Sequence, residues 1–255
     1  MSDRQSAFSV RSQQIVLWWG LGLAIIYVLA FAFLLQQLPL KNPAWTAEQV
    51  ADWYVHNHAR IVWGAAIAGW TGAFMMPILA VVAVQKARVE GGWRIWSVLS
   101  LVSGALMSLF LVLPPLFWGV AAYTAPRENP EATTLMHELA SLTMTTTDQY
   151  YVFMWIAVTV VALRPATQLV KNNPFPRWWG YGSLWITIMF EAGAVAFVPR
   201  TGPFAWNGLL VFWSPLVLFS VWISVQSWLT LRALRLQLEQ PELEPSPADA
   251  PAAVV

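Results

Sequence analysis

A single carboxylate, Glu191, stands inside an otherwise apolar stretch of the sequence, between residues 186–190 and 192–195. It would lie ~20 Å along a helix from Trp178 at 1.5 Å per residue. An ionisable group at that depth in a membrane is costly, and by default it marks a functional site. We therefore predict Glu191 as a catalytic acid–base residue. The alternative is a protonated or Arg-paired carboxyl that only holds helices together.

A second set of polar residues begins before the next apolar run upstream. Glu138, Ser141, Thr145 and Asp148 fall on one face of a predicted helix. Polar side chains at membrane depth cannot face lipid, so these residues must face protein or a water-filled cavity. We predict Asp148 as a second catalytic carboxylate and Glu138 as a binding residue.

A third polar stripe precedes the second apolar run. Thr46 and Gln49 have the spacing of a capping box, which predicts that a helix starts near residue 47. Asp52, His56 and Arg60 then share one face of that helix. We predict them as binding residues, and the alternative is a solvated stripe at the membrane surface.

Several kinds of chemistry have little support in the sequence. The chain has no cysteine, which excludes disulfides and thiolate chemistry. With 3 histidines a multi-histidine metal centre has few ligands to draw on, and no phosphate loop, zinc-protease helix or nucleophile elbow occurs. The net charge of +1 gives no reason to expect nucleic acid. We predict no metal and no cofactor.

The composition predicts a membrane protein. Of the 255 residues, 58% are apolar and 11% charged, whereas soluble domains carry roughly 25% charged residues. The apolar residues form blocks, and ~20 helical residues cross a hydrocarbon core about 30 Å thick. The 17 tryptophans agree, because tryptophan concentrates at membrane interfaces. We predict an all-α polytopic transmembrane helical bundle with six spans, at residues 15–35, 61–84, 95–117, 144–163, 178–198 and 207–231.

The basic residues set the predicted orientation. With the N-terminus inside, ten of the 14 Lys and Arg fall in cytoplasmic segments, which satisfies the positive-inside rule. Both termini are therefore predicted to be cytoplasmic. An alternative for the first span is a cleaved signal peptide, because Ala30-Phe31-Ala32 offers small residues at a cleavage spacing.

The chain divides into one predicted domain and a tail. Residues 1–235 form the transmembrane domain, and residues 236–255, rich in Pro, Glu and Ala, are predicted to be a disordered cytoplasmic tail. Arg11, Arg94 and Arg177 recur at equal intervals, each before an odd-numbered span, which suggests three helical hairpins in parallel orientation. The alternative is that every span starting inside begins with basic and aromatic residues.

Several aromatic and proline-containing stretches form a distinctive pattern. They are residues 175–181 (FPRWWGY), 201–209 (TGPFAWNGL), 212–213 (FW) and 215–216 (PL), together with 45–49 (WTAEQ) and 113–118 (LPPLFW). This pattern resembles a family of bacterial six-span integral membrane proteins that has no assigned activity. The resemblance implies a multi-pass protein of the bacterial cytoplasmic (inner) membrane, and it implies no catalytic residue.

Two functions remain open from the sequence. In the first, polar residues at the outer ends of the spans line a pocket that binds a lipophilic small molecule, for transport or for acid–base conversion. In the second, the protein is a structural or accessory subunit of a membrane complex, and the same residues only hold helices together. Both hypotheses make the lipid bilayer a partner, and the second adds other membrane subunits.

Overall fold

A computed structural model describes residues 2–127, 129–147 and 149–239, and all regular structure there is helical. Nine α-helices follow one another: α1 Ser2–Leu29, α2 Ala47–Thr71, α3 Met75–Glu90, α4 Ile95–Thr124, α5 Pro130–Thr146, α6 Gln149–Leu163, α7 Pro165–Leu169, α8 Arg177–Phe190 and α9 Ser214–Glu239. The predicted all-α class is confirmed.

Four helical segments of the described chain are long and apolar enough to cross a membrane. They are Ser9–Leu34, Ala47–Glu90, Ile95–Arg127 and Leu209–Glu239. These segments contain most of the first, second, third and sixth predicted spans. The fold therefore fits an integral membrane protein.

The second of these segments is helical throughout, with one 3-10 turn between its two α-helices. It begins with the predicted capping box: Thr46 accepts from the Gln49 N–H at 3.3 Å, and Gln49 accepts from the Thr46 N–H at 3.0 Å. A 3-10 turn at Gly72–Phe74 joins α2 to α3. The turn stands just before Pro77, which lacks an N–H and crowds the carbonyl four residues earlier.

The fourth predicted span, residues 144–163, is divided between two helices. α5 ends at Thr146 and α6 begins at Gln149. The hydroxyls of Thr145, Thr146 and Thr147 donate to carbonyls one turn back, at 2.9, 2.7 and 2.8 Å. Such bonds satisfy the hydroxyls inside an apolar bundle, but they also weaken and bend a helix.

Hydrogen bonds between distant segments define the two ends of the bundle. At the first, called the basic end here, the Arg88 guanidinium donates to the carbonyls of Lys171 and Asn172 at 3.2 and 2.7 Å. The connection before α8 thus lies beside the end of α3. At the opposite end, the Trp206 indole N–H donates to the Lys41 carbonyl at 2.8 Å. The connections before α2 and before α9 therefore meet there.

A network of buried amides joins three helices at the basic end. The Gln85 amide donates to Gln13 at 2.8 Å, and Gln237 donates to Gln85 at 2.9 Å. Gln237 is buried in this network, and α9 continues to Glu239. Residues 236–239 thus belong to α9 and not to the predicted tail, and the bond from Gln237 to Gln85 fastens this last turn to α3. Residues 240–255 lie outside the described chain.

Small residues let the helices approach one another closely. A Cβ on Gly64 would lie 2.8 Å from the Leu35 backbone nitrogen, and one on Gly72 would lie 3.0 Å from the Leu111 carbonyl oxygen. Such contacts replace the hydrophobic driving force that is missing between helices in lipid. Gly22, by contrast, has nothing within 4 Å of the added carbon.

We expect Gly64→Ala to destabilise the protein and Gly22→Ala to leave its stability unchanged or slightly raised. The methyl group at position 64 meets backbone that cannot turn aside, and overpacking of this kind costs about 1–3 kcal/mol. Thermal melting of the purified full-length variants checks this. Equal melting temperatures for the two variants would contradict the close contact at Gly64.

Candidate functional site

A buried tyrosine–histidine pair lies towards the end opposite the basic end, where α2 packs against α5. The Tyr54 hydroxyl and His137 Nδ1 are 2.9 Å apart, and the two residues are 0% and 2% exposed. The other ring nitrogen, Nε2, is buried and has no hydrogen-bond partner. Whichever tautomer His137 adopts, one hydrogen-bonding position of the imidazole is unfilled.

The imidazole of His137 is held in its neutral form. Burial, assisted by the nearby positive charge of Lys41, lowers the pKa of His137 to about 4. Desolvation disfavours a charged imidazole because the surroundings cannot replace the lost water. Near neutral pH His137 can therefore accept or donate a hydrogen bond without carrying charge.

Aromatic rings surround this pair. The Trp206 ring meets His137 edge to face with centroids 6.1 Å apart, and Trp53 meets Tyr54 at 4.8 Å. The Lys41 ammonium lies 4.7 Å from the centre of the Trp53 ring. Burial lowers the pKa of Lys41 as well. The rings exclude water from His137, which accounts for its neutral state.

An open cavity of about 70 Å³ is lined in part by Trp206. Its polar lining comes from Glu138 and Arg200, and its apolar lining includes Leu142, Ala196 and Phe197. A volume of this size holds a few water-sized groups. The cavity therefore combines a carboxylate, a guanidinium and apolar walls in a space suited to a small polar group.

The predicted binding residues of α2 lie on the protein surface. Asp52, His56 and Arg60 are all exposed, and His56 Nδ1 lies 2.8 Å from the Asp52 carbonyl oxygen. They share a helical face as predicted. Among the described residues that line the cavity, Glu138 is present and these three are not.

Of the two carboxylates predicted to be catalytic, the structure describes Glu191 but not Asp148. Glu191 follows the last residue of α8, begins a 3-10 turn that extends to Val195, and is exposed. The continuous helix expected over residues 178–198 therefore ends at Phe190, three residues before Gly193, which has a low helix propensity. Glu191 does not line the cavity. Asp148 lies outside the described residues.

His137 was not among the site residues predicted from the sequence, although the sequence contains a signal for it. Thr133, His137, Ser141 and Thr145 recur every four residues, and all four are buried. This stripe shares Ser141 and Thr145 with the predicted one, but it contains His137 in place of its neighbour Glu138. Spacing by four residues places all its members on one helical face.

Lys86 is another buried residue that was not predicted as a site residue from the sequence. It is 0% exposed, and its ammonium donates to the Ser100 hydroxyl. One turn on, the Glu90 carboxylate accepts from the backbone N–H groups of Trp96 and Ser97 at 2.8 and 2.9 Å, which caps the start of α4. Both charges thus fasten α3 to α4.

Gln37, like His137, has buried polar atoms without hydrogen-bond partners. It is 0% exposed, and neither its amide nitrogen nor its amide oxygen has a hydrogen-bond partner. An unpaired buried amide costs about 1–3 kcal/mol. In most proteins such groups are explained by an ordered water or a bound molecule.

Neither the metal-ligating side chains nor the known proteins assign a function to this site. Within the described part of the chain, no group of three or more His, Cys, Asp or Glu side chains could hold a metal ion. No protein-family model, curated protein or solved structure matches the chain. The resemblance to bacterial six-span proteins stays a prediction.

We expect Tyr54→Phe to lower the free energy of unfolding by about 1–3 kcal/mol, because it leaves His137 Nδ1 buried without a partner. Tyr123→Phe is the matched control, since Tyr123 is 63% exposed. Chemical or thermal denaturation of the two purified variants measures the difference. If Tyr54→Phe is as stable as Tyr123→Phe, the tyrosine–histidine hydrogen bond contributes nothing.

Proposed function

We propose that the chain crosses the bacterial inner membrane six times, with both termini cytoplasmic. The observation that supports this is the position of the connection between α7 and α8. Arg88 binds the Lys171 and Asn172 carbonyls at the basic end, whereas Trp206 binds Lys41 at the opposite end. A chain that visits the basic end between residues 147 and 196 and then leaves it adds two crossings to the four long segments.

Helix lengths agree with the two additional crossings. α8 has 14 residues and the following 3-10 turn has 5, which together span ~31 Å at 1.5 and 2.0 Å per residue. α6 has 15 residues, or ~22 Å, and the bilayer can thin locally around a shorter apolar helix. Both lengths are compatible with a hydrocarbon core of about 30 Å.

Single-cysteine labelling tests the six crossings, because the parent chain has no cysteine. We expect Lys171→Cys to react with an impermeant maleimide only after the cytoplasmic side is opened. Thr201→Cys should react in intact cells or right-side-out vesicles. If Lys171→Cys is also labelled from outside, residues 149–196 do not return to the cytoplasmic side and only four crossings remain.

We further propose that the cavity beside Trp206 binds the polar head of a lipophilic small molecule. Glu138 and Arg200 offer one acceptor and one donor group to that head. Phe197 and Val198, 66% and 82% exposed, extend an apolar surface from the cavity rim, along which an apolar tail can lie. The proposal rests on this one observation: a small polar cavity lies next to an exposed apolar strip.

The buried pair next to Trp206 supports the wall of this site. Trp206 contacts both the His137 ring and the Lys41 carbonyl, and these contacts hold its ring in the cavity wall. Preformed walls reduce the entropy lost on binding. The proposal is binding and not catalysis, because neither His137 nor Tyr54 is among the described residues that line the cavity.

Co-purification tests the cavity. We expect an amphiphilic compound to be extracted from the purified full-length protein, and to be reduced about tenfold in Glu138→Gln and Arg200→Gln, because charge-assisted hydrogen bonds contribute roughly 1.5–3 kcal/mol. Arg60→Gln is the matched control, an exposed arginine at which we expect no loss. The measurement is mass spectrometry of solvent extracts, normalised to protein.

Equal recovery from all four proteins, or loss only in Arg60→Gln, would contradict the proposal. Melting temperatures of the same samples show whether a loss of compound reflects a loss of fold. A failure to recover any compound from well-folded protein would favour the accessory-subunit hypothesis instead.

A further inference from the structure

A second and larger cavity opens at the basic end of the bundle, between the start of α8 and the last turns of α9. Its volume is about 320 Å³, and its lining includes Asn172, Asn173, Trp178, Trp228 and Arg232. This volume falls within the range of small-molecule sites, ~300–1,000 Å³. It shares no lining residue with the cavity beside Trp206.

The lining of this cavity is basic. Arg232 supplies a permanent positive charge, and none of the described lining residues is an Asp or Glu. The Arg232 guanidinium lies 5.9 Å from the centre of the Trp228 ring, a stacking contact that orients it. The first turn of α8 also begins here, and Pro176 at its N-cap makes no side-chain hydrogen bond to it. That turn adds partial positive charge.

Two tryptophans place this cavity at the depth of lipid headgroups. Trp178 and Trp228 are 55% and 54% exposed, and exposed tryptophans of membrane proteins concentrate at the interface. The loop wall is fixed, because Arg88 holds the Asn172 carbonyl and Asn173 bonds the Phe175 backbone. A rigid, basic cavity at that depth matches the known chemistry of sites for acidic lipid headgroups.

We propose that this cavity binds the phosphate headgroup of an anionic phospholipid, with Arg232 as its principal contact. The phosphate oxygens accept from the guanidinium, a pairing that arginine geometry favours. The amide side chains of Asn172 and Asn173 line the polar side, and Trp228 borders the side facing the acyl chains. The occupant is thus a lipid of the surrounding leaflet.

Binding of defined lipids to the full-length protein tests the proposal. We expect phosphatidylglycerol to bind and to raise the melting temperature, and phosphatidylcholine to do neither, in native mass spectrometry and in mixed micelles. Arg232→Gln should weaken phosphatidylglycerol binding by about tenfold, the loss expected for one charge-assisted contact. Arg235→Gln is the matched control, because it removes the same charge from the same helix outside the cavity lining.

Three results would overturn the proposal. Equal binding of phosphatidylcholine would show that the site does not distinguish an anionic headgroup from a zwitterionic one. An equal loss in Arg232→Gln and Arg235→Gln would show general attraction to the basic end. Stabilisation by millimolar inorganic phosphate as large as that by phosphatidylglycerol would show that the ligand is a soluble anion. Melting of Arg232→Gln without lipid separates lost binding from lost fold.

Discussion

The structure depends on one constraint: a polar group enclosed by an apolar bundle needs a partner inside the protein, because lipid offers none. The core obeys it with chains of side-chain hydrogen bonds. Trp179 donates to Gln226 at 2.9 Å, and Gln226 donates to Thr230 at 3.1 Å. Trp222 donates to the Ser183 hydroxyl at 3.1 Å. These bonds join α8 to α9 and fix their rotation about their axes.

The same constraint makes the exceptions informative. Nε2 of His137 and both amide atoms of Gln37 are buried without partners. Both residues lie towards the end opposite the basic end. Buried hydroxyls without partners also occur on Thr167 in α7 and on Ser227 in α9. The fully buried ammonium of Lys86, in contrast, donates to a hydroxyl.

Much of the helical framework could be predicted from the sequence, because long apolar blocks and a capping box are local signals. The start of α2 after Thr46 and the 3-10 turn before Pro77 follow from such signals. The interruption at Thr147 does not, since three threonines in a row can either continue a helix or loosen it. The end of α8 at Phe190 was not predicted either, because the apolar run continues past it to Val198.

The candidate site was harder to predict, for a physical reason. Charged residues draw attention in an apolar sequence, yet Asp52, His56 and Arg60 are exposed, where a charge costs nothing. The buried members, His137 and Tyr54, are ordinary residues in the sequence and become special only because α2 and α5 pack together. The pair joins residues 83 positions apart. The four-residue spacing around His137 marks a helical face, but it does not say that this face is buried against α2.

The most direct test of this account is the protonation state of His137 in the membrane-embedded protein. Histidine-selective ¹⁵N solid-state NMR of the full-length chain in bilayers at about pH 5.5, a unit below the ordinary histidine pKa, distinguishes the outcomes. The account predicts one imidazole that stays neutral and disappears from the spectrum in His137→Gln. Full protonation of all 3 histidines at that pH would contradict the water-excluding environment on which the site is built.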